Sequence, residues 1–152
     1  MALKIRRVVT GHDENGKAVV KFDDAGIHRS SGRPNMERQL IWTTDDLPVI
    51  FEEDGEDKGG REIGTTITGG SVFRIVEYGP GVTPRNHRTD SIDYAVVLSG
   101  VIDMEMDNTV VHLKAGDVLV QRGTIHNWVN NGTEPCVITF VLIGSSGNRA
   151  VG

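Results

Sequence analysis

Two histidines and one aspartate stand in two separate stretches whose spacing could bring them together. His87 and Asp93 lie in residues 81–100, and His126 lies in residues 116–130. Side chains two apart share a face of a β-strand, so a continuous strand would point His87 and Asp93 the same way. Two imidazoles and a carboxylate are suitable ligands for a divalent metal ion. We therefore predict a metal site formed by these three side chains.

Four further side chains in or beside these stretches could contact a substrate. Thr89 falls on the same predicted face as the metal ligands, and Gln121 could form hydrogen bonds in the same interior. Trp128 lies two residues after His126, so it either stacks on a substrate or packs in the core. Arg85 could hold a carboxylate through two hydrogen bonds, although exposed arginines usually have no such role. We predict these four as substrate-binding residues.

The composition is that of a globular protein with one core. The chain has 152 residues, of which 38% are hydrophobic and 24% are charged. The net charge of −5 and the lack of a basic stripe argue against a nucleic-acid partner. No apolar run approaches the ~20 residues that span a bilayer, and the first residues do not form a signal peptide. Cys136 is the single cysteine, which favours a cytoplasmic location.

Short apolar runs separated by turn residues predict an all-β fold without long helices. In the first part of the chain we expect strands at residues 4–9, 17–22 and 38–43, with a hairpin turn at Asn15 and Gly16. From residue 71 onwards the strands recur about every eight to twelve residues, which is typical of a sandwich or barrel. These strands are predicted at residues 71–77, 92–98, 101–106, 110–113, 118–121, 127–129 and 136–143.

Polar segments separate the predicted strands. Residues 23–37 are expected to be irregular, and residues 45–61 are expected to form an exposed acidic loop, with a mobile lid as the alternative. Residues 144–152 are expected to fray. The histidines outside the two stretches are expected to be solvated or on the surface: His12, His28 and His112.

The glycine spacing in the two stretches resembles the paired motifs of the cupins, small β-barrels of the double-stranded β-helix type. The first cupin motif is Gly-x5-His-x-His-x3,4-Glu-x6-Gly, and this chain reads Gly81-x5-His87-x-Thr89-x3-Asp93-x6-Gly100. The second motif is Gly-x5-Pro-x-Gly-x2-His-x3-Asn, and this chain reads Gly116-x4-Gln121-x-Gly123-x2-His126-x3-Asn130. Thr89 therefore replaces a histidine, Asp93 a glutamate and Gln121 a proline.

The resemblance implies a jelly-roll-like cupin barrel at residues 71–143. Residues 1–70 would be an N-terminal extension whose strands pack on the barrel or on a dimer partner, and residues 144–152 a C-terminal tail. A homodimer and a divalent ion (iron, manganese, zinc or nickel) are also implied. Because Asp93 is one methylene shorter than glutamate, it either binds the ion directly, acts through a water or orients a histidine. Thr89 could leave a position for water or substrate.

Three functions stay open at this point. The first is a metal-dependent enzyme of lyase, decarboxylase or dehydratase type, acting on a small carboxylate or polyketide-like molecule, with Asp93 and His126 as catalytic residues. The second is an Fe(II)-dependent oxygenase with the same ligands. The third is a barrel that binds a small ligand without turnover, because two of the family's ligand positions have changed and a fold does not fix a function.

Overall fold

The computed structural model describes residues 3–51 and 55–145, and its regular structure in these ranges is β-strand. The strands are β1 (Arg6–His12), β2 (Ala18–Ala25), β3 (Arg29–Ser31), β4 (Met36–Thr44), β5 (Ser71–Tyr78), β6 (Ser91–Ser99), β7 (Val101–Glu105), β8 (Val110–Lys114), β9 (Val118–Arg122), β10 (Asn127–Val129) and β11 (Cys136–Gly144). The prediction of an all-β fold is confirmed. In these ranges no helix is long and apolar enough to cross a bilayer.

The described strands form three antiparallel sheets. Six strands pair in the order β3-β4-β5-β11-β6-β9, three pair in the order β10-β7-β8, and β1 pairs with β2. The two larger sheets enclose one core, because Ile138 and Val72 of the first and Trp128 and Met104 of the second belong to the same buried cluster. The arrangement is a barrel of jelly-roll type.

Strand β11 lies near the middle of the six-stranded sheet, between β5 and β6. Its side chains alternate between the two faces, so Cys136, Ile138, Phe140 and Leu142 are all buried on the inner one. Full burial of an Ile, Leu or Phe side chain stabilises the fold by about 1.5–3 kcal/mol. This apolar row fixes the register of the strands that carry the polar residues.

The turn between β6 and β7 carries the chain from the larger sheet to the smaller one. Gly100 occupies this turn with a φ of 81°, a value that side chains with a Cβ adopt rarely. A Cβ at this position would lie 2.5 Å from the carbonyl oxygen of Pro135. The last glycine of the first motif is therefore required both by the backbone conformation and by the close approach of the neighbouring chain.

The N-terminal segment covers the outer face of its own barrel. Leu3 is buried in a second apolar cluster with Ile41 and Ile75. The side chain of Gln39 fixes the approach, since it accepts a hydrogen bond from the amide of Ile5 and donates one to the carbonyl of the same residue. Strand β4 also pairs with β5, so residues of the extension are part of the barrel sheet.

Three sequence-based expectations for the connecting segments need correction. Residues 23–37 are not wholly irregular, because β2 continues to Ala25 and β3 pairs with β4. His28 is only partly exposed to solvent, and its Nε2 donates to Asp57 Oδ2 at 2.8 Å. Gly144 completes β11, and the amide of Ser145 donates to the carbonyl of Asp90, so the tail is anchored at its start. Residues 146–152 lie outside the described ranges.

The predicted acidic loop is attached to the protein body over part of its length. Asp57 is held by Arg7, the carbonyl of Lys58 accepts a hydrogen bond from Thr43 Oγ1, and Gly59 is buried. The expectation of a solvated loop is therefore wrong at these positions. Asp57 forms an ion pair with Arg7, which lies 50 residues earlier in the sequence. Residues 52–54 fall outside the described ranges.

Arg7 is the centre of the cluster that ties this loop to the N-terminal hairpin. Its side chain is 1% exposed, and its guanidinium donates two hydrogen bonds to Asp57 and two to Asp24. It also donates to the carbonyl of Ile41 and lies 5.2 Å over the ring of Phe22. Fully used donors of this kind compensate the cost of removing the charge from water.

We expect Arg7→Ala to reduce the free energy of unfolding by about 3 kcal/mol or more, because the substitution leaves two carboxylates without their cation. Urea denaturation of the purified protein measures this loss. Arg6→Ala is the matched control, since the neighbouring Arg6 makes an ion pair with Asp23 in which both side chains are well exposed. We expect no measurable change for the control. Equal effects of the two substitutions would contradict this account of the cluster.

Candidate functional site

His87 and His126 face each other at one end of the barrel. The two residues form an isolated antiparallel bridge, in which each backbone amide donates to the other residue's carbonyl at 3.0 and 2.9 Å. The centroids of their rings are 4.4 Å apart. The prediction that two distant stretches bring these imidazoles together is confirmed by this geometry.

Backbone carbonyls fix the tautomer of both rings. Nδ1 of His87 lies 3.0 Å from the carbonyl oxygen of Arg85, and Nδ1 of His126 lies 2.8 Å from that of Thr124. A carbonyl oxygen only accepts, so each Nδ1 carries the proton and each Nε2 presents a lone pair. Within the described residues, neither Nε2 is engaged in a hydrogen bond. The pair thus offers two unused basic nitrogens.

Burial keeps both imidazoles neutral. Burial is the main cause that lowers the pKa of His126 to about 4; the hydrogen bond with the carbonyl of Thr124 opposes it, and His87, Arg85 and Arg33 act in the same direction as burial. Burial also lowers the pKa of His87, with the same two guanidinium groups acting in the same direction. Both rings are therefore uncharged at neutral pH, the form in which imidazole accepts a proton or binds a metal.

Asp93 lies inside the barrel on β6, among hydroxyl groups. The residue is 3% exposed, Ser91 Oγ donates to its Oδ1 at 2.5 Å, and Thr89 Oγ1 donates to its Oδ2 at 3.3 Å. Burial raises the pKa of Asp93 to about 6, although these hydrogen bonds and the charge of Arg74 act in the opposite direction. The carboxyl group therefore changes its charge close to neutral pH.

The residues present do not fit the predicted three-ligand metal centre. Among residues 3–51 and 55–145, no group of three or more His, Cys, Asp or Glu side chains is arranged to hold a metal ion. The strand through this region is not continuous, because β6 begins only at Ser91 and His87 belongs to a separate bridge. The carboxylate of Asp93 accepts hydrogen bonds from hydroxyl groups. The two imidazoles alone are fewer than the three protein ligands that a catalytic metal site usually has.

Of the predicted substrate-binding residues, Thr89 and Gln121 lie in the barrel interior. Thr89 is 8% exposed and bonded to Asp93. Gln121 is 3% exposed and stands opposite Asp93 in the pairing of β6 with β9. Its Nε2 lies 3.1 Å from the sulfur of Met104, whereas its buried Oε1 has no partner among the described residues. Gln121 therefore presents an unused acceptor to the interior.

Of the other two predicted substrate-binding residues, Trp128 is buried in the core and Arg85 is exposed to solvent. Trp128 is 2% exposed and its ring contacts Tyr78, His126 and Phe140, each at a centroid distance of 5.8 Å. It is a core residue that also forms the wall behind His126. Arg85 is exposed, and its effect on the two imidazoles is electrostatic.

Three side chains of the site were not predicted from the sequence: Arg33, Arg74 and Tyr78. Arg74 is 9% exposed and shares the inner face of β5 with Val72 and Val76. Burial raises the pKa of the Tyr78 phenol, whose ring stacks on Trp128. Arg33 lies in the loop between β3 and β4, with its guanidinium carbon 6.0 Å from the Tyr78 ring centroid. Arg74 could have been identified from the sequence, because a charged residue at an inward-facing position of an apolar strand is unusual.

Comparison with known proteins identifies the domain and several relatives of this chain. The model of the cupin domain matches residues 74–142. The cupin-domain-containing oxidoreductase fogC of Aspergillus ruber is 37% identical over 147 residues, covering 92% of this chain and 72% of that protein. The oryzines biosynthesis cluster protein J of Aspergillus oryzae is 48% identical over 134 residues, covering 84% of this chain and 75% of that protein.

Solved structures show the same fold at low identity. A cupin superfamily protein from Desulfitobacterium hafniense superposes with a TM-score of 0.51 at 9% identity, covering 76% of this chain and 83% of that chain. At this identity the likeness concerns the fold alone. The prediction of a cupin-type barrel is confirmed.

The raised pKa of Asp93 predicts how stability depends on pH. The pKa is about 6 in the folded protein and 3.8 for an unperturbed aspartate, so the folded state binds the proton more tightly. Asp93 therefore costs stability increasingly as the pH rises from about 4 through about 6. We expect Asp93→Asn to gain up to about 3 kcal/mol over the wild type between pH 4 and pH 8, measured by urea denaturation.

Asp107→Asn serves as the control for this measurement, since Asp107 is exposed in the turn between β7 and β8. Its stability is expected to follow that of the wild type at every pH. If the difference in unfolding free energy between Asp93→Asn and the wild type were the same at pH 4 and at pH 8, the raised pKa assigned to Asp93 would be wrong.

Proposed function

The chain belongs to the cupin family, and on that premise we propose that it is an enzyme acting on a small organic molecule at the His87–His126 pair. The relatives support an enzyme rather than a storage protein, because the matched protein of Aspergillus ruber is named an oxidoreductase and that of Aspergillus oryzae a biosynthesis cluster protein. A small carboxylate and a polyketide-like molecule are both candidate substrates.

The observation that supports a chemical role best is the pair of neutral, unused Nε2 atoms. Each is the free end of a ring whose other nitrogen is bonded to a backbone carbonyl, so the ring cannot turn without losing that bond. A positioned neutral imidazole can remove a proton from a substrate, which contributes typically 10²–10⁴-fold to the rate. Proton removal of this kind belongs to lyase or dehydratase chemistry, and a decarboxylase would use the same residues to handle the proton of its product.

The residues around the pair have defined parts in such a reaction. His126 is the more buried base, and the Trp128 ring at its edge limits its movement. Asp93, with a pKa of about 6, could donate or accept a proton near neutral pH. Thr89 and Ser91 hold that carboxyl group in one orientation.

A second candidate function is oxidation of a small molecule, and the name of the relative from Aspergillus ruber favours it. An oxidation needs an electron acceptor, so an enzyme of this kind would consume oxygen or another oxidant together with its substrate. Oxygen uptake that depends on added Fe(II) would distinguish this candidate from proton-transfer chemistry.

A divalent metal ion at the histidine pair stays a prediction, as does a cytoplasmic location. The two Nε2 atoms have the protonation state that metal-binding histidines need. Water or substrate would have to complete the coordination, because the described residues supply no third ligand. Two protein ligands are expected to hold an ion weakly.

We also propose a homodimer, formed through the outer face of β6 and β9. Five apolar side chains are exposed there: Tyr94, Val96, Leu98, Val118 and Val120. Tyr94 pairs with Val120 and Val96 with Val118 across the two strands. Contiguous apolar surface on a soluble domain marks an interaction site more often than not. A face built from the same two strands in both copies can pair with itself around a two-fold axis.

Light scattering tests the dimer. We expect a dimer mass for the wild type at micromolar concentration and a monomer mass for Val120→Lys, because the substitution buries two like charges in the interface. Val101→Lys is the control, since Val101 is exposed on β7 in the other sheet. A monomeric wild type, or a dimeric Val120→Lys variant, would contradict the proposed interface.

The catalytic proposal is tested by His126→Gln in an assay of small carboxylic acids and polyketide-like compounds, with products followed by mass spectrometry. We expect turnover to fall at least about 100-fold, because glutamine cannot accept the proton. His112→Gln is the control, since His112 is on the surface with its side chain 79% exposed. The pKa of His126 places the acid limb of the wild-type pH–rate profile near pH 4 rather than near 6.5.

Undiminished turnover by His126→Gln would refute the role of the pair. Thermal stabilisation by a compound that the wild type does not convert would instead favour the remaining alternative, a barrel that binds a small ligand without turnover.

A further inference from the structure

Residues 61–67, called the strap below, adjoin the end of the barrel at which β5 and β6 begin. The carbonyl oxygen of Ile67 would lie only 2.0 Å from a Cβ on Gly144, so the strap is in close contact with the last residue of β11. Gly144 pairs with Ser91, the first residue of β6, and the Ser91 hydroxyl donates to Asp93. The strap therefore lies next to the part of the interior that holds this carboxyl group.

The side chain of Arg74 holds the backbone of the strap to the barrel by hydrogen bonds. From the inner face of β5, its Nη2 donates to the carbonyl oxygens of Gly64 at 3.0 Å and Thr65 at 3.5 Å. Among the described residues, no amide or carbonyl of residues 61–66 is bonded to another backbone group. The middle of the strap thus has none of the backbone hydrogen bonds that join the strands.

Apolar packing and two anchors complete the attachment of the strap. Ile63 and Ile67 pack against the main buried cluster, although both side chains stay partly exposed. At the first residue of the strap, Arg61 donates to Thr43 Oγ1, and just after its last residue the amide of Gly70 donates to the carbonyl of Ile67. The ends are therefore fixed, whereas the middle depends on one arginine and two isoleucines.

The interior next to the strap is closed to solvent. Thr89, Asp93 and Gln121 are all buried, so a molecule larger than water reaches them only if part of the protein moves. The strands are joined by ladders of backbone hydrogen bonds, and segments with few such bonds open at much lower free energy. At this end of the barrel the strap is the described segment that opens most easily.

We propose that the strap is the gate to the barrel interior and that Arg74 holds it closed. Release of the two carbonyl oxygens from the guanidinium frees the middle of the strap, and substrate enters beside Asp93. Closure then separates the interior from bulk water. Arg74 is a positioning residue in this proposal, because it touches the strap and not the reacting atoms. The inference rests on the proposed function for the location of the chemistry, and it places the lid directly after residues 45–61.

Thiol labelling of the intact chain measures opening of the strap without any turnover. Ile63→Cys places a thiol on the inner side of the strap, and Thr89→Cys places one in the interior. The natural Cys136, which is fully buried, reports global unfolding. The rates of reaction with methyl methanethiosulfonate are read at each position by peptide mass spectrometry. We expect both new thiols to react faster than Cys136. Rates equal to that of Cys136 would overturn the gate, because the strap would open only when the whole protein unfolds.

Arg74→Met, added to each cysteine variant, tests how the strap is held. We expect labelling at positions 63 and 89 to accelerate at least about tenfold with no change at Cys136, because hydrogen bonds from a charged donor are lost. Arg6→Met is the matched control, since Arg6 is an exposed arginine with its own aspartate partner. Unchanged rates at both positions would overturn the role of Arg74. Acceleration at position 63 alone would place the entrance elsewhere and overturn the gate.

Ile67→Ser replaces Arg74→Met if that variant does not fold. It removes an apolar contact from the strap itself, outside every strand, so the same acceleration at positions 63 and 89 is expected. Unchanged labelling in a folded Ile67→Ser variant would overturn the proposal.

His126→Gln separates this inference from the proposed function. If both hold, this variant converts no substrate, while its thiol at position 63 is labelled as fast as in the parent protein. Acceleration by Arg74→Met together with undiminished turnover in His126→Gln refutes the catalytic role alone. Turnover that depends on His126, with labelling rates that Arg74→Met does not change, refutes the gate alone.

Discussion

The reciprocal backbone hydrogen bonds between His87 and His126 are the constraint on which the site depends. They join the segment before β6 to the segment before β10, and thereby close one end of the barrel between the two larger sheets. The same segments supply the carbonyls of Arg85 and Thr124 that orient the rings. The same two segments therefore close the fold and orient the two basic nitrogens.

The barrel divides its interior between apolar packing and polar chemistry. Ile138, Phe140 and Met104 fill the core, whereas Asp93, Gln121 and His126 are buried polar residues, and Oε1 of Gln121 has no hydrogen-bond partner among the described residues. Incomplete hydrogen bonding costs stability, so the apolar rows must supply the surplus that keeps the fold intact. A site of this kind is maintained by the rigidity of the strands around it, because relaxation would let its polar groups find partners of their own.

Much of this arrangement could be predicted from the sequence. Alternating apolar residues and turn chemistry predicted the strands from residue 71 onwards, and the resemblance of the two glycine-anchored motifs to those of the cupins implied the barrel in which His87 and His126 meet. Contacts between distant segments could not be predicted that way. Asp57 meets Arg7 across 50 residues, and β6 begins only at Ser91, so the alternation of a single strand does not extend from His87 to Asp93.

The position of Arg33 in the loop between β3 and β4 has a consequence for how such proteins diversify. The loop precedes the barrel motifs, and its backbone does not take part in the bridge between the histidines. Insertions or substitutions there would change the surface beside Tyr78, while the histidine pair and the strands that hold it stay as they are. A surface connection of this kind can vary in sequence without altering the bridge that closes the barrel.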